Sequence, residues 1–168
     1  RYNALQDSTI ACYADALTGT EIRRTFAYIF EARTPRGGGL PQLDLFTLAG
    51  EFCLGTTPII PVPLMHGRRQ ILGYRIGPFA YLTDCSEIPP AAWPLLHGVD
   101  LLVVDALRDK PHPTHFSVAE ALAVVERLRP SRAWFTHIAH DLPHAATCAR
   151  LPAGVDLAYD GLTLEFAL

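Results

Sequence analysis

Hydrophobic and polar positions along the chain fall into short runs whose period changes near the middle. Small and apolar residues alternate over residues 8–14, "STIACYA", and predict a strand. In "TGTEIRRTFAYIF", Ile22, Phe26 and Ile29 recur at helical spacing behind Thr18 or Thr20 as a cap, so 18–30 reads as a helix. Glycines and prolines in "EARTPRGGGLPQ" make a loop. From 43 to 82 the pattern is β: "LDLFTLA", "EFCLG", "IIPVPLM", "QILGYRIG" and "FAYLTD", divided by turn residues. Pro61 and Pro63 alternate with Ile60, Val62 and Leu64. Proline cannot donate to a central ladder, so this run predicts an edge or irregular strand.

Beyond Asp84 the texture changes. "IPPAAWPLLHG" reads as a short helix with prolines in its first turn, and "VDLLVVDAL" as a strand buried on both faces. "SVAEALAVVERLR" is the clearest helix: Ser117 and Glu120 have capping-box spacing, and Val118, Leu122, Val125 and Leu128 form its apolar stripe. "RAWFTH" predicts a strand, "DLPHAATCARL" a helix, and "VDLAYDGLTLEF" a hairpin around Asp160-Gly161. A β-rich half followed by β/α alternation is α/β in class, a sheet sandwich with helices outside. The reading is of one domain, 1–168, uniting 43–82 with 100–168 and placing helices 117–129 and 141–150 on an outer face.

Composition narrows the function classes. The 168 residues are 49% hydrophobic and 18% charged, which describes a packed globule and not a disordered chain. A net charge of -3 offers no electrostatic footprint for nucleic acid or an anionic membrane. No apolar run reaches transmembrane length, and no signal-peptide pattern opens the chain. Cys12, Cys53, Cys85 and Cys148 form no CxxC pair; they fit reduced thiols in a cytoplasmic protein. Arg1 is not an initiator Met, and a strand-like run follows almost at once, so the chain is expected to start inside a longer gene product.

Candidate chemistry lies where the runs end. His66, Asp84 and His137 follow strand-like runs, and His115 opens a helix. Histidine and aspartate bind zinc or manganese and move protons near neutral pH. Taken singly, His66 suits a turn cap and Asp84 a cap of the next turn through Ser86; four such positions together read as one site assembled from separate loops. Asp105, ending "LLVVD", reads as a strand-end carboxylate that orients neighbours from behind the site. His112 reads as an exposed loop residue, and His97 as an ordinary residue at a helix end. His140 and His144 lie one turn apart but lack the intervening Glu of the helical zinc motif. Cys85, beside Asp84, reads as a thiol packed beneath the site.

The ordered series "PLMHG…GYRIG…YLTDCSEIP…LLVVDALR…HPTHFSVAEAL…FTHIAHDL…LAYDGLTLEF" resembles the downstream part of the metallo-β-lactamase superfamily, closest to the branch containing phosphoribosyl cyclic phosphate phosphodiesterase. The resemblance runs from "RYNALQ" to the C-terminus, and the 22-residue step from His115 to His137 makes it specific. It implies an αββα sandwich whose N-terminal portion is missing, with two divalent metal ions, zinc or manganese or iron, between the sheets. His66 matches a ligand of the first metal, Asp84 the bridging carboxylate, and His137 a ligand of the second. His115 matches a histidine that meets the substrate phosphate or protonates the leaving oxygen, and His140 the second histidine of "THxxH". The superfamily's HxHxDH motif does not occur in these 168 residues and is expected upstream of them, so this piece alone is expected to be inactive.

The implied function of the intact protein is hydrolysis of a small (cyclic) phosphodiester by a metal-bridging hydroxide, with Asp84 and His115 as the catalytic pair. The expected partner is that small-molecule substrate, without membrane or nucleic acid, in a protein that could form a homodimer. Two alternatives differ in class. One is the same fold acting on a tRNA 3′ end, a thioester or a lactone; the absence of a Lys-rich arm weakens the tRNA case. The other is a non-catalytic binding module, which would not be expected to retain His66, Asp84, His115 and His137 together.

Overall fold

The computed structural model describes residues 2–31, 34 and 39–168. They fall into two compact units, Arg1–Gly50 and Glu51–Leu168.

In the first unit α1 (Tyr2–Gln6) leads to β1 (Ile10–Ala14), followed by α2 (Ala16–Thr25), α3 (Ala27–Phe30) and β2 (Leu43–Thr47). β1 and β2 pair in parallel from Ile10↔Leu43 to Ala14↔Thr47. The helix expected over 18–30 begins earlier and is interrupted. Asp15 caps it, its Oδ1 accepting from the Leu17 and Thr18 N–H groups at 2.9 and 3.0 Å, and Phe26 leaves helical geometry between α2 and α3. The carboxylate is held below its ordinary range, chiefly by the Thr18 hydroxyl and backbone N–H. β2 also departs from expectation. It was grouped with the β run over 43–82, yet its partner is β1, because the ladder partner of an apolar run is set by topology and not by sequence adjacency.

The second unit is built on one seven-stranded sheet in chain order: β3 (Phe52–Leu54), β4 (Thr57–His66), β5 (Arg69–Ile76), β6 (Phe79–Leu82), β7 (Leu101–Asp105), β8 (Arg132–Thr136) and β9 (Val155–Leu157). β3 to β6 are antiparallel and β6 to β9 parallel. β4, β6, β7, β8 and β9 therefore run in one direction, and their C-terminal ends share one margin of the sheet.

The prolines of β4 sit where the sequence placed them. β3 pairs only as far as Phe52↔Ile59, so Pro61 and Pro63 lie beyond its reach. The Met65 N–H points away from β5 to the Glu87 carbonyl at 2.9 Å, so the same-phase prolines cost β5 no hydrogen bond. Gly73 of β5 is needed for close packing: a Cβ there would stand 2.8 Å from Leu64 Cδ1 and 2.9 Å from the Tyr81 carbonyl oxygen. β7 is buried at all five positions, as its unbroken apolar run predicted.

α4 (Val118–Leu128) has the anticipated reciprocal cap. The Glu120 N–H donates to Ser117 Oγ, and the Ser117 N–H donates to the Glu120 carboxylate. Val118, Ala121 and Val124 are buried in the core with Val104, Phe116 and Phe135. The helix expected near 90 is a 3-10 helix, Pro90–Leu96, with Pro94, which lacks an N–H, inside it. The helix expected over 141–150 is shorter, α5 (His144–Cys148), and starts after Pro143. The hairpin expected at Asp160-Gly161 does not form. β9 is short and pairs only with β8 among the described residues, while the following tail places Phe166 against Phe79 with ring centroids 4.8 Å apart.

Candidate metal centre

Strand direction assembles this site. β4 ends in His66, β6 is followed two residues on by Asp84, β7 ends in Asp105, and β8 is followed by His137. These four strands point the same way, so residues up to 71 positions apart in sequence meet at one margin. His115 comes from the loop between β7 and α4. That loop is tied down on both sides: the Phe116 N–H donates to the Cys85 carbonyl at 2.8 Å, and the Leu107 N–H to the Phe116 carbonyl at 2.9 Å.

Two of the converging residues hold backbone that L-residues seldom adopt. Asp84 has φ +66° and His137 φ +61°. Left-handed geometry turns the chain sharply at the strand end and lets each side chain face back over the margin. Asp and His enter this region more readily than most residues, but still against an intrinsic cost.

Asp84 Oδ1 is the hub. It lies 3.5 Å from His66 Nε2, 3.5 Å from His137 Nε2 and 3.2 Å from His115 Nδ1. The His115 ring packs 5.0 Å from His66 and 4.8 Å from His137, centroid to centroid. Asp105 stands behind it: Oδ2 is 3.4 Å from His115 Nδ1 and accepts the Phe116 N–H at 3.2 Å. The Asp105 side chain is 0% exposed and that of Asp84 54%, so one carboxylate underlies the cluster and the other opens to solvent.

Burial sets the electrostatics. Asp105 is pushed up to about 7, first by desolvation and further by the charge of Asp84, against the opposing Phe116 hydrogen bond. His115 is held below its ordinary value by desolvation and by the neighbouring His137, with Asp84 pulling the other way. Burial also drives the Cys85 thiol well above its ordinary value, consistent with a packed, inert group beneath the site.

The donor set fits divalent cations. Asp105 Oδ1 and His115 Nδ1 are buried without a well-aligned hydrogen bond, an arrangement that costs free energy unless something else satisfies them. His66, Asp84 and His115 form one set of mutually close ligand atoms, and Asp105, His115 and His137 another, each within 4.8 Å. Two ligands about 2.1 Å from one tetrahedral ion stand roughly 3.4 Å apart, the spacing that Asp84 Oδ1 keeps from both His66 and His137.

Other sequence candidates divide. His112 is not the exposed loop residue expected. It is half-buried, its ring centroid 4.8 Å from that of His115, and its Nδ1 lies 3.2 Å from Thr114 Oγ1. The only sequence signal was its place three residues before His115, which did not indicate direction. His140, the second histidine of "THxxH", is exposed. His144 is turned elsewhere, its Nε2 at 3.3 Å from the Ala158 carbonyl and its Nδ1 at 3.7 Å from Cys148 Sγ. His97 is exposed at the end of the 3-10 helix.

A mixed sheet with flanking helices, carrying histidine and aspartate on one strand margin, defines the class of the metallo-β-lactamase fold. Comparison with known families agrees: the profile described as "Beta-lactamase superfamily domain" matches residues 2–138, and the chain belongs to that superfamily. Among solved structures, a diphosphatase from the PhnP family superposes with a TM-score of 0.85 at 41% identity, over 96% of this chain and 60% of that one. The metallo-β-lactamase fold protein YhfI from Bacillus subtilis superposes with a TM-score of 0.73 at 16% identity, over 95% and 66%. Zinc-bound PqqB from Methylobacterium extorquens does so with a TM-score of 0.65 at 16% identity, over 95% and 66%. At such identity these last two speak to the fold alone. Among curated proteins, an octanoyltransferase of Porphyromonas gingivalis is 30% identical over 155 residues, 91% of this chain and 32% of that protein. The chain thus spans about a third of that relative and 60% of the diphosphatase.

Proposed function

We propose that this chain carries active-site residues of a dinuclear metal-dependent hydrolase acting on a small phosphodiester. The observation that carries the reading is the shared position of Asp84 Oδ1, at 3.5 Å from both His66 Nε2 and His137 Nε2. One carboxylate oxygen equidistant from two histidine nitrogens on different strands suits a residue bridging two cations. The likeness at 41% identity to a PhnP-family diphosphatase supports phosphoryl chemistry. The match over residues 2–138 crosses the boundary between the two compact units and supports reading 1–168 as part of a single domain.

His66 and Asp84 would hold one ion and Asp84 and His137 the other. When bound, such ions supply Lewis acidity and lower the pKa of water. The chain's own residues do the rest. Asp84 Oδ1 and Asp105 Oδ2 stand 3.2 and 3.4 Å from His115 Nδ1, and between these two carboxylates His115 would be the group that carries a proton to the departing oxygen. Desolvation of His115 favours the neutral ring, so a proton taken up there is readily released. No helix among the described residues is long and apolar enough to cross a membrane.

The test is turnover by the full-length gene product loaded with Mn²⁺ or Zn²⁺. Hydrolysis of bis(p-nitrophenyl) phosphate, absent after chelation and restored by metal, is the expected result. Cleavage of thioesters or lactones without any phosphodiester activity would refute the substrate class and leave the metal centre standing.

A further inference from the structure

The phosphodiesterase reading leaves Arg69, paired in the ladder with His66, without a role. β4 and β5 are joined by a two-residue turn, Gly67-Arg68, which makes His66 and Arg69 directly opposite partners in the ladder. Directly opposite residues of an antiparallel pair leave the same face of the sheet, with Cβ atoms about 4.5–5.5 Å apart. His66 turns its ring toward Asp84 and His115, so Arg69 departs from the sheet on the side of the cluster.

The turn is clamped. Gly67 has φ +60°, the left-handed conformation that a tight hairpin asks of its first central residue. Its N–H donates to Ser86 Oγ at 3.1 Å, and a Cβ on it would stand 3.0 Å from Thr114 Cγ2. The hairpin end is thus held between the segment that carries Asp84 and the one that carries His115, which fixes where Arg69 begins. Arg69 is exposed and, among the described residues, its guanidinium has no hydrogen-bond, carboxylate or ring partner. Several other arginines do: Arg75 donates to the Leu95 carbonyl, Arg108 to that of Pro111, Arg127 lies over Trp93, and Arg150 pairs with Asp109, whereas Arg68 and Arg129 are likewise without a side-chain partner among the described residues. An unpaired guanidinium beside a site that receives an anion matches phosphoryl oxygens in charge and in its two-pronged geometry.

We propose that Arg69 is a substrate-binding residue, its guanidinium taking non-bridging phosphoryl oxygens and giving the site its preference for phosphate esters over neutral esters and lactones. This rests on the phosphodiesterase reading of the same site.

The experiment uses the metal-loaded, full-length gene product and three variants: Arg69→Ala, Arg69→Lys and Arg68→Ala. Arg68 carries the same charge one residue away, inside the turn and off the paired face, so it controls for net charge. For bis(p-nitrophenyl) phosphate, Arg69→Ala should raise KM about tenfold or more with a smaller change in kcat, the scale of one lost charge-assisted hydrogen bond. Inhibition by inorganic pyrophosphate should weaken in parallel, Arg69→Lys should recover part of both, and Arg68→Ala should keep the parent's KM. Metal content by mass spectrometry should match the parent in all three. An Arg69→Ala protein with unchanged KM and pyrophosphate inhibition, or one matched by Arg68→Ala, would overturn the proposal while parent activity stood. Loss of metal from Arg69→Ala would overturn it as well. A parent inactive on every phosphodiester would instead strike the underlying reading, and the proposal with it.

Discussion

Asp84 performs two separable tasks, and a three-member substitution series divides them. Its carboxylate oxygen is the common neighbour of His66, His115 and His137 at 3.2–3.5 Å, while its backbone sits at φ +66°. Asp84→Ala removes the carboxylate and retains a Cβ in left-handed geometry. Asp84→Gly removes both, and Asp84→Asn keeps the shape and the tolerance of left-handed φ but not the anionic charge. If the carboxylate joins two cations, all three variants should lose turnover. Their metal affinity should fall by more than the ~10–100-fold seen on losing a group that merely supports a ligand. Stability should follow a different order. With metal chelated, Asp84→Gly should exceed Asp84→Ala by about 1–2 kcal/mol, the cost of placing an L-residue with a Cβ in that region. At roughly 2–4 °C per kcal/mol for a protein of this size, melting temperatures should differ by about 2–8 °C. Metal content by mass spectrometry, turnover and thermal unfolding in EDTA read the three effects. An Asp84→Asn protein that keeps two metals per chain and hydrolyses the diester would refute the bridging role. Equal melting temperatures for the Ala and Gly variants would refute the backbone argument and leave the ligand argument untouched.

Two further outcomes follow from the same cluster. His115→Ala in the full-length gene product should keep its metal and slow diester hydrolysis by about 10²–10⁴-fold, the range for loss of a general acid; an emptied metal site would make His115 a ligand. Asp105 in the metal-free protein should impose a pH dependence on stability. Its folded value of about 7 lies above the ordinary 3.8, so the folded state retains a proton that the unfolded chain has released, and stability falls as pH rises from about 4 to 7 and is level above. Denaturant midpoints at pH 5 and 8 should therefore differ more in the parent than in Asp105→Asn, and equal differences would remove Asp105 as the cause.

Much of this architecture was legible because its signals are local. The capping box of Ser117 and Glu120, the two-sided apolar run of β7 and the β4 prolines each draw their meaning from a few consecutive residues, and each appears as read. The four residues proposed for the site were singled out by their places at or near element ends together with the resemblance of their order to a known superfamily, and the structure brings the three histidines within 3.2–3.5 Å of Asp84 Oδ1. Readings failed where the partner was remote. The period of "LDLFT" says strand but not which neighbour, and β2 joined β1. Asp160-Gly161 is a turn signal, yet no returning strand formed after it among the described residues.

The sequence by itself determined which side chains were available and that His66, Asp84 and His137 stood at or just beyond strand ends, with His115 in the loop before a helix. Only the tertiary structure decided that they meet. His66, Asp84 and His137 approach one another because β4, β6 and β8 run in the same direction within one sheet, and strand direction comes from ladder pairing across the whole unit. Tertiary packing likewise sorted the remaining histidines, turning His112 onto His115 and leaving His140 in solvent. It also set Asp105 beneath the cluster: a carboxylate at a strand end is ordinary in sequence, and becomes a buried support only once neighbouring strands and the His115 loop have excluded water from it.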